Sequence, residues 1–321
     1  MNETIKTIHF NLIFLVLIFI STQLYADRCL FVSSYHTGYA WSDGVERGLR
    51  KNLVGKCELK QFNMDTKRNK KEDDIRGAAL KAKELIESWK PDVVITADDN
   101  AAKYLIKPYF KDHKIPFVFC GINWNVDAYN FPYSNTTGMV EVAPIDALFE
   151  KAKIILGSAN NAIYIGASTL TEKKNLKRFQ QAAQKHNITL DYRLVNSRQE
   201  WMDAYRSAQK SDFILVGSHS GISDWNENMV MDFVKSSTKK LSLTNHGWMM
   251  PFSVLGLVKD PEEHGEWAAL AALEILRGTK PSDIPIVSNR RWDILLNSVL
   301  LQQSGIEINQ SLLRKAKKVG L

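Results

Sequence analysis

Short apolar runs recur along this chain, each closed by a small polar residue or glycine and followed by a segment with helical spacing. Cys29-Leu30-Phe31-Val32 ends at Ser33-Ser34, Val93-Val94-Ile95 at Thr96, and Ile115 to Cys120 at Gly121. Runs this short with so few polar positions read as strands buried on both faces, the condition of a parallel sheet. Parallel neighbours need crossovers, and the intervening stretches supply them. Val45, Leu49 and Leu53 share one helical face, as do Ile75, Ala79, Ala82, Ile86 and Trp89. With Thr137 to Val142 as a shorter strand, residues 28–142 read β-α-β-α-β-α-β-loop-β, a sheet with helices on both faces.

The pattern then restarts. Ala162 to Gly166, Thr189 to Val195, Phe213 to Val216 and Leu241 to Thr244 read as strands, separated by helical segments around Glu172–His186, Trp201–Ala208 and Asn228–Ser236. Phe252 to Val258 is another apolar run. A helix from Pro261 to Arg277 comes next, stopped by Gly278, and the tail from Asp293 reads as strand plus helix. The 321 residues therefore hold two α/β lobes, each a doubly wound parallel sheet.

The N-terminus does not join this pattern. Lys6 precedes a nearly unbroken hydrocarbon stretch from Phe10 to Ile20, and Leu24-Tyr25-Ala26 offers a cleavage site. The stretch is short of the ~20 apolar residues a membrane span needs, so residues 1–26 read as a secretory signal peptide. The mature chain is expected to be periplasmic or otherwise extracytoplasmic. Removing residues 1–26 takes away Lys6 and Glu3, leaving the formal net charge at +7. That excess is dispersed. Its densest run, Lys67-Arg68-Asn69-Lys70-Lys71, is followed at once by Glu72-Asp73-Asp74, which reads as a solvated loop entering a helix and not as a nucleic-acid patch. Of the three cysteines, Cys29 and Cys57 open the first two predicted strands. If those strands are neighbours the pair lies within disulfide reach, which leaves Cys120 free.

Several strings, in their order and spacing, resemble the substrate-binding proteins of ABC transporters with the type I periplasmic fold, in an uncharacterised subgroup that includes aromatic amino-acid binders. They are Pro91-Asp92-Val93-Val94-Ile95-Thr96-Ala97, Ile115-Pro116-Phe117-Val118-Phe119, Asn135-Thr136-Thr137-Gly138, Leu276 to Pro285, and Gly305-Ile306-Glu307-Ile308. The string Ser34 to Ser42 is similar to domains that also serve as extracytoplasmic sensors. The resemblance implies two lobes joined by a three-stranded hinge, with crossings near Val142–Pro144, Met250–Ser253 and Val287–Trp292. The first lobe is then 27–143 plus about 253–288, and the second 144–252 plus about 289–321. It also implies a small-molecule ligand and a partner that is an ABC-transporter permease or a membrane sensor.

A cleft between such lobes is lined from the carboxyl ends of strands. From the first lobe these ends supply Tyr35, His36, Tyr39, Trp41, Asp98, Asp99, Asn100, Asn123 and Trp124, and from the second Ser168, Thr169, Ser218, His219, Asn245, His246 and Trp248. Aromatics offer flat apolar area with a polar tip. Helix starts after Ser42, Asn100 and Thr169 offer N–H groups to an anion. Asp98 or Asp99 can pair with an ammonium. The set suits an amino acid with a ring, and equally a sugar stacked on Trp with its hydroxyls on Asp and Asn. Catalysis is not expected: Gly217-Ser218-His219-Ser220-Gly221 is no nucleophile elbow, and no phosphate-binding or dinucleotide motif occurs. His36, His219 and His246 come from different lobes, so no metal is expected, and no cofactor either.

Overall fold

The computed structural model describes residues 26–320; the signal-peptide reading of residues 1–26 falls, but for its last residue, outside them. In chain order the first half runs β1 (Arg28–Ser33), α1 (Ala40–Leu53), β2 (Glu58–Asn63), α2 (Glu72–Trp89), β3 (Val93–Ala97), α3 (Asp98–Ala101), β4 (Phe117–Asn123) and β5 (Thr136–Glu141). Helix α3 continues through a π turn at Ala102–Ile106. The second half runs α4 (Ile145–Leu156), β6 (Asn161–Ala167), α5 (Leu170–Lys185), β7 (Thr189–Val195), α6 (Arg198–Ala208), β8 (Phe213–Val216), α7 (Glu227–Ser237), β9 (Leu241–Thr244) and β10 (Leu255–Lys259). Then come α8 (Pro261–Leu276), β11 (Val287–Ser288), β12 (Trp292–Asn297), α9 (Ser298–Ser304), α10 (Gln310–Lys315) and β13 (Lys317–Val319).

The strands form two sheets. The first is six-stranded, in the order β11-β5-β4-β3-β1-β2, and every pairing in it is parallel. The second is seven-stranded, β13-β12-β10-β9-β8-β6-β7. Strands at the centre are buried throughout, as β3 is, while the edge strand β7 is largely exposed. Because β1 and β2 are neighbours, Cys29 and Cys57 meet in a disulfide with Cα atoms 6.0 Å apart, and Cys120 stays free and buried.

The chain passes between the sheets three times, at 142–144, at 260 and at 289–291. The middle crossing differs from the expected Met250–Ser253. Residues 255–259 pair with β9 and β12, so they belong to the second sheet, and the chain leaves it only after Lys259. The apolar run Phe252–Val258 carried no signal for which sheet it would join. Strand β10 ends at the crossing and β12 starts there, so the two must run antiparallel, with Lys259 opposite Trp292. Helix α8 returns to the first sheet and packs on α1. A Cβ at Gly265 would fall on the backbone of Val45, so these helices approach as closely as glycine allows.

The crossings are tied to one another. Asn289 Oδ1 accepts the Val142 N–H at 2.7 Å, and Glu263 accepts the N–H groups of Arg290 and Arg291 at 2.9 and 2.7 Å. Arg291 also reaches Asp260 at 3.0 Å and Glu266 at 2.8 Å. Lys259, ending β10, is paired with Glu141, ending β5.

Candidate functional site

Asp98 stands where β3 gives way to α3. Its φ of 71° is left-handed, a rare conformation for a side chain with a Cβ, and its residue surface is only 3 % exposed. The sequence suggests a helix capped by Asp99 or Asn100; the helix instead begins at Asp98, and Asn100 lies inside it, donating to Thr66 Oγ1 at 2.8 Å. Gly121, with φ 72°, passes close enough that a Cβ there would press on the Asp98 carboxyl. One carboxyl oxygen, Oδ1, accepts the Trp41 indole N–H at 3.0 Å, while Oδ2 is buried without a hydrogen-bond partner. Burial, reinforced by neighbouring Asp99, pushes the Asp98 carboxyl up to about 8.

Around Asp98 lies a cavity of about 270 Å³ between the two lobes. Tyr35, Tyr39, Trp41, Asp98 and Asn123 line it from the first, and Asn245, His246 and Trp248 from the second, so these expected residues do come together. Tyr35 and Tyr39 pack edge to face with centroids 5.3 Å apart. Opposite them the His246 ring stacks on the Trp248 indole at 4.5 Å, and Trp248 is half exposed at the mouth. His246 Nε2 and Asn245 Oδ1 are buried with no partner. Burial holds the His246 imidazole down to about 4, so it is neutral at ordinary pH. Buried polar atoms normally find partners, and three that do not (Asp98 Oδ2, His246 Nε2 and Asn245 Oδ1) belong to residues that line this one cavity.

A family model described as ABC transporter substrate binding protein matches residues 31–320. The chain belongs to that family. Its two mainly parallel sheets with three crossings are the type I periplasmic binding protein fold. Among solved structures it resembles the ligand-free, open form of a substrate binding protein with adhesive properties from Clostridium difficile, at TM-score 0.74 and 16% identity over 91% of this chain and 99% of that one. It is similar also to the ABC domain in complex with L-Trp from Streptococcus pneumonia, at TM-score 0.59 and 19% identity, and to a conserved domain protein from Vibrio cholerae O1, at 0.58 and 17%. Each of these two also covers 91% of this chain and 99% of its own. No curated protein matches. Membership of this family gives the chain a solute-binding role in ABC transport. Among the described residues no helix is long and apolar enough to cross a membrane, and no group of three His, Cys, Asp or Glu is placed to hold a metal ion.

The remaining expected residues stand elsewhere in the substrate-binding fold. The His36 ring lies 3.2 Å from Asp65. Asp99 is consumed by structure, accepting from Asn123 Nδ2 and from the Tyr129 hydroxyl, both at 2.6 Å. Trp124, also at positive φ, turns away and packs on the second lobe, with the Arg178 guanidinium 3.8 Å over its ring. Thr169 caps α5 by accepting from Glu172 N at 3.2 Å, and Ser168 N–H donates to Val195 O. Ser218 N–H donates to buried Glu172, and His219 stacks flat on Trp225 at 4.4 Å. None of these residues lines the cavity around Asp98, and neither does the helix start after Thr169. Nor does Ser42 cap a helix: α1 begins at Ala40, Ser42 is buried within it, and Asp43 Oδ1 accepts from Gly38 N–H.

Three charged lining residues escaped the sequence reading: Lys67, Glu141 and Lys259. Burial lowers the Lys259 ammonium to about 8, although Asp98 opposes the shift, and its Nζ sits 5.5 Å from the Trp41 ring centroid. Glu141 and Lys259 each end a strand at a crossing, and that position is the one sequence signal that marks them. A larger cavity of about 560 Å³ lies between α7, the 247–252 turn and β12–β13. Its lining is mostly apolar and includes no buried orphan polar atom among the described residues, so the chemistry favours the smaller cleft.

Proposed function

We propose that this protein captures an amino-acid-like solute, with an aromatic or other ring side chain, between its lobes and delivers it to the permease of an ABC transporter. The observation that carries the reading is Asp98, a buried carboxyl with one oxygen unpartnered, set among Tyr35, Tyr39 and Trp41 and faced by His246 and Trp248. A ring stacked between aromatics gains apolar contact at little entropic cost, and a ligand ammonium beside Asp98 favours loss of the carboxyl proton and gives the resulting carboxylate a donor. Asn123, Asn245 and His246 offer further polar contacts at the rim. Lys259, paired with Glu141 at the hinge, places a cation on the cleft wall near the ligand carboxylate. The L-Trp in the pneumococcal neighbour supports an amino acid as the class to test first.

The lobes enter this reading as rigid jaws: residues 27–143 with α8 and β11 on one side, 144–259 with β12 to β13 on the other. A ligand touching both stabilises the closed arrangement by the contacts made only there. The experiment is calorimetric titration with aromatic amino acids, other amino acids and sugars, followed by intrinsic fluorescence. Saturable binding of an aromatic amino acid is expected; saturation by sugars alone would overturn the amino-acid reading. The Ser34–Ser42 string favours a second partner, a membrane sensor, and co-purification of a permease or of a receptor with the ligand-loaded protein separates the two.

A further inference from the structure

The basic run at 67–71 looks like a solvated loop in the sequence, yet the ammonium of its first residue folds back onto the cleft. Lys67 Nζ lies 4.4 Å from the centroid of the Tyr35 ring and 5.1 Å from that of Tyr39, inside the range of a cation–π contact with both. It lines the cleft beside Asp98, whose carboxyl feels its charge. The turn that presents it is pinned. Thr66 donates its hydroxyl to Ser34 O at 2.7 Å and its N–H to the same oxygen, Asn100 Nδ2 donates to Thr66 Oγ1, and Arg68 grips Asp65 through two bonds of 2.8 Å. Lys67 is exposed like the residues after it, but its ammonium is held over the tyrosine rings. Two tyrosine faces in the cleft that also holds the Asp98 carboxyl can receive an ammonium group, and in this structure Lys67 sets one over both rings.

We propose that the Tyr35–Tyr39 pair backed by Asp98 recognises the cationic group of the ligand, and that Lys67 is a tethered competitor that a ligand amine displaces. This rests on the reading of the cleft as a solute site and names its primary recognition element: an unhindered ammonium, with the ligand's carboxylate secondary. A decarboxylated amine then binds comparably to its parent amino acid, and a deaminated acid does not. Removing Lys67 tightens amine binding, whereas a Lys67 that held the ligand carboxylate would weaken binding on removal.

The test uses Lys67→Ala, at an exposed position where loss of the side chain leaves the fold in place. Wild type and variant are titrated with n-butylammonium chloride against sodium chloride and n-butanol, read by intrinsic fluorescence and melting temperature. The variant is expected to saturate with the ammonium at a concentration about threefold to fivefold below any response of the wild type, the size of an exposed cation–π contact. Adding Asp98→Asn, which cannot ionise in response to a bound cation, should abolish that saturation. A second panel compares L-tryptophan, tryptamine and indole-3-propionate. Lys67→Ala should tighten the first two and leave the third unbound. Weaker binding of L-tryptophan and indole-3-propionate to the variant overturns the proposal, as does identical behaviour of variant and wild type toward butylammonium. If butylammonium saturates the variant while no indole compound binds either protein, the ammonium receptor stands and the amino-acid reading falls. If L-tryptophan binds both proteins equally and butylammonium neither, the amino-acid reading stands and the proposal falls.

Discussion

Trp41 donates its indole N–H to Asp98 Oδ1 at 3.0 Å across 57 residues of sequence, coupling the first turn of α1 to the start of α3. The bond fixes both the buried carboxyl and the aromatic wall of the cleft. Trp41→Phe keeps a ring and removes the donor, leaving Asp98 with neither oxygen satisfied. Ligand affinity is expected to fall about tenfold and stability by about 1–2 kcal/mol. Titration and denaturant melts check both. A stability loss with unchanged affinity would make Trp41 purely structural.

Asp98 gives stability a pH dependence of defined sign. Its folded value, about 8, lies above the ordinary 3.8, so between these pH values the native state holds a proton that the unfolded chain has released. The contribution of this group is therefore greatest below the unfolded value and is lost as pH rises through about 8. Asp98→Asn removes this slope. Denaturant melts at about pH 5 and about pH 8 should show the variant gaining more, relative to wild type, at the higher pH. Equal differences at both would mean that Asp98 is ionised in the folded protein.

His264 on α8 behaves oppositely. It is fully buried against Trp41, neither ring nitrogen has a partner, and burial, with Lys259 and Arg291 nearby, lowers it to about 3. The unfolded chain takes up a proton first as pH falls from 6.5, so stability drains away toward pH 3. His264→Leu deletes both orphan nitrogens and should be neutral or stabilising by about 1 kcal/mol, with the acid-unfolding midpoint moved lower. A large destabilisation would mean that the imidazole has partners in solution.

The Cys29–Cys57 bridge joins β1 to the exposed edge strand β2 over a separation of 28 residues. Thiol titration of unreduced, unfolded protein should find one reactive group, Cys120. Cys57→Ser should cost about 2–4 kcal/mol. Three reactive thiols in protein purified from the oxidising compartment would refute the bridge.

The hydrocarbon stretch before Leu24 is expected to direct export, with the mature chain starting at or near Asp27. Mass spectrometry of the native protein checks this; an intact Met1 in a membrane fraction would refute it.

The apolar runs by themselves determined the two parallel sheets, because a strand buried on both faces leaves a continuous apolar signature that needs no tertiary context. The positions of Cys29 and Cys57 at the starts of two strands made their pairing conditional on β1 and β2 being neighbours, and the sheet order supplied that condition. Thr169 was legible as a cap because capping is a contact within four residues. The cleft was legible only as a list of strand ends, and about half of that list is spent on structure: Asp99 on Asn123 and Tyr129, Thr169 on α5, Trp124 on Arg178. What separates Asp98 from Asp99 is a left-handed backbone at Asp98 that buries one carboxyl and turns the other aside, and adjacent identical residues carry no signal of that. Glu141 and Lys259 meet although 118 positions apart, and Lys67 reaches the tyrosines because Thr66 is bound to Ser34. The first contact depends on how the two sheets are set against each other and the second on the packing of loops within one lobe, so the tertiary structure alone decided which charges line the cleft.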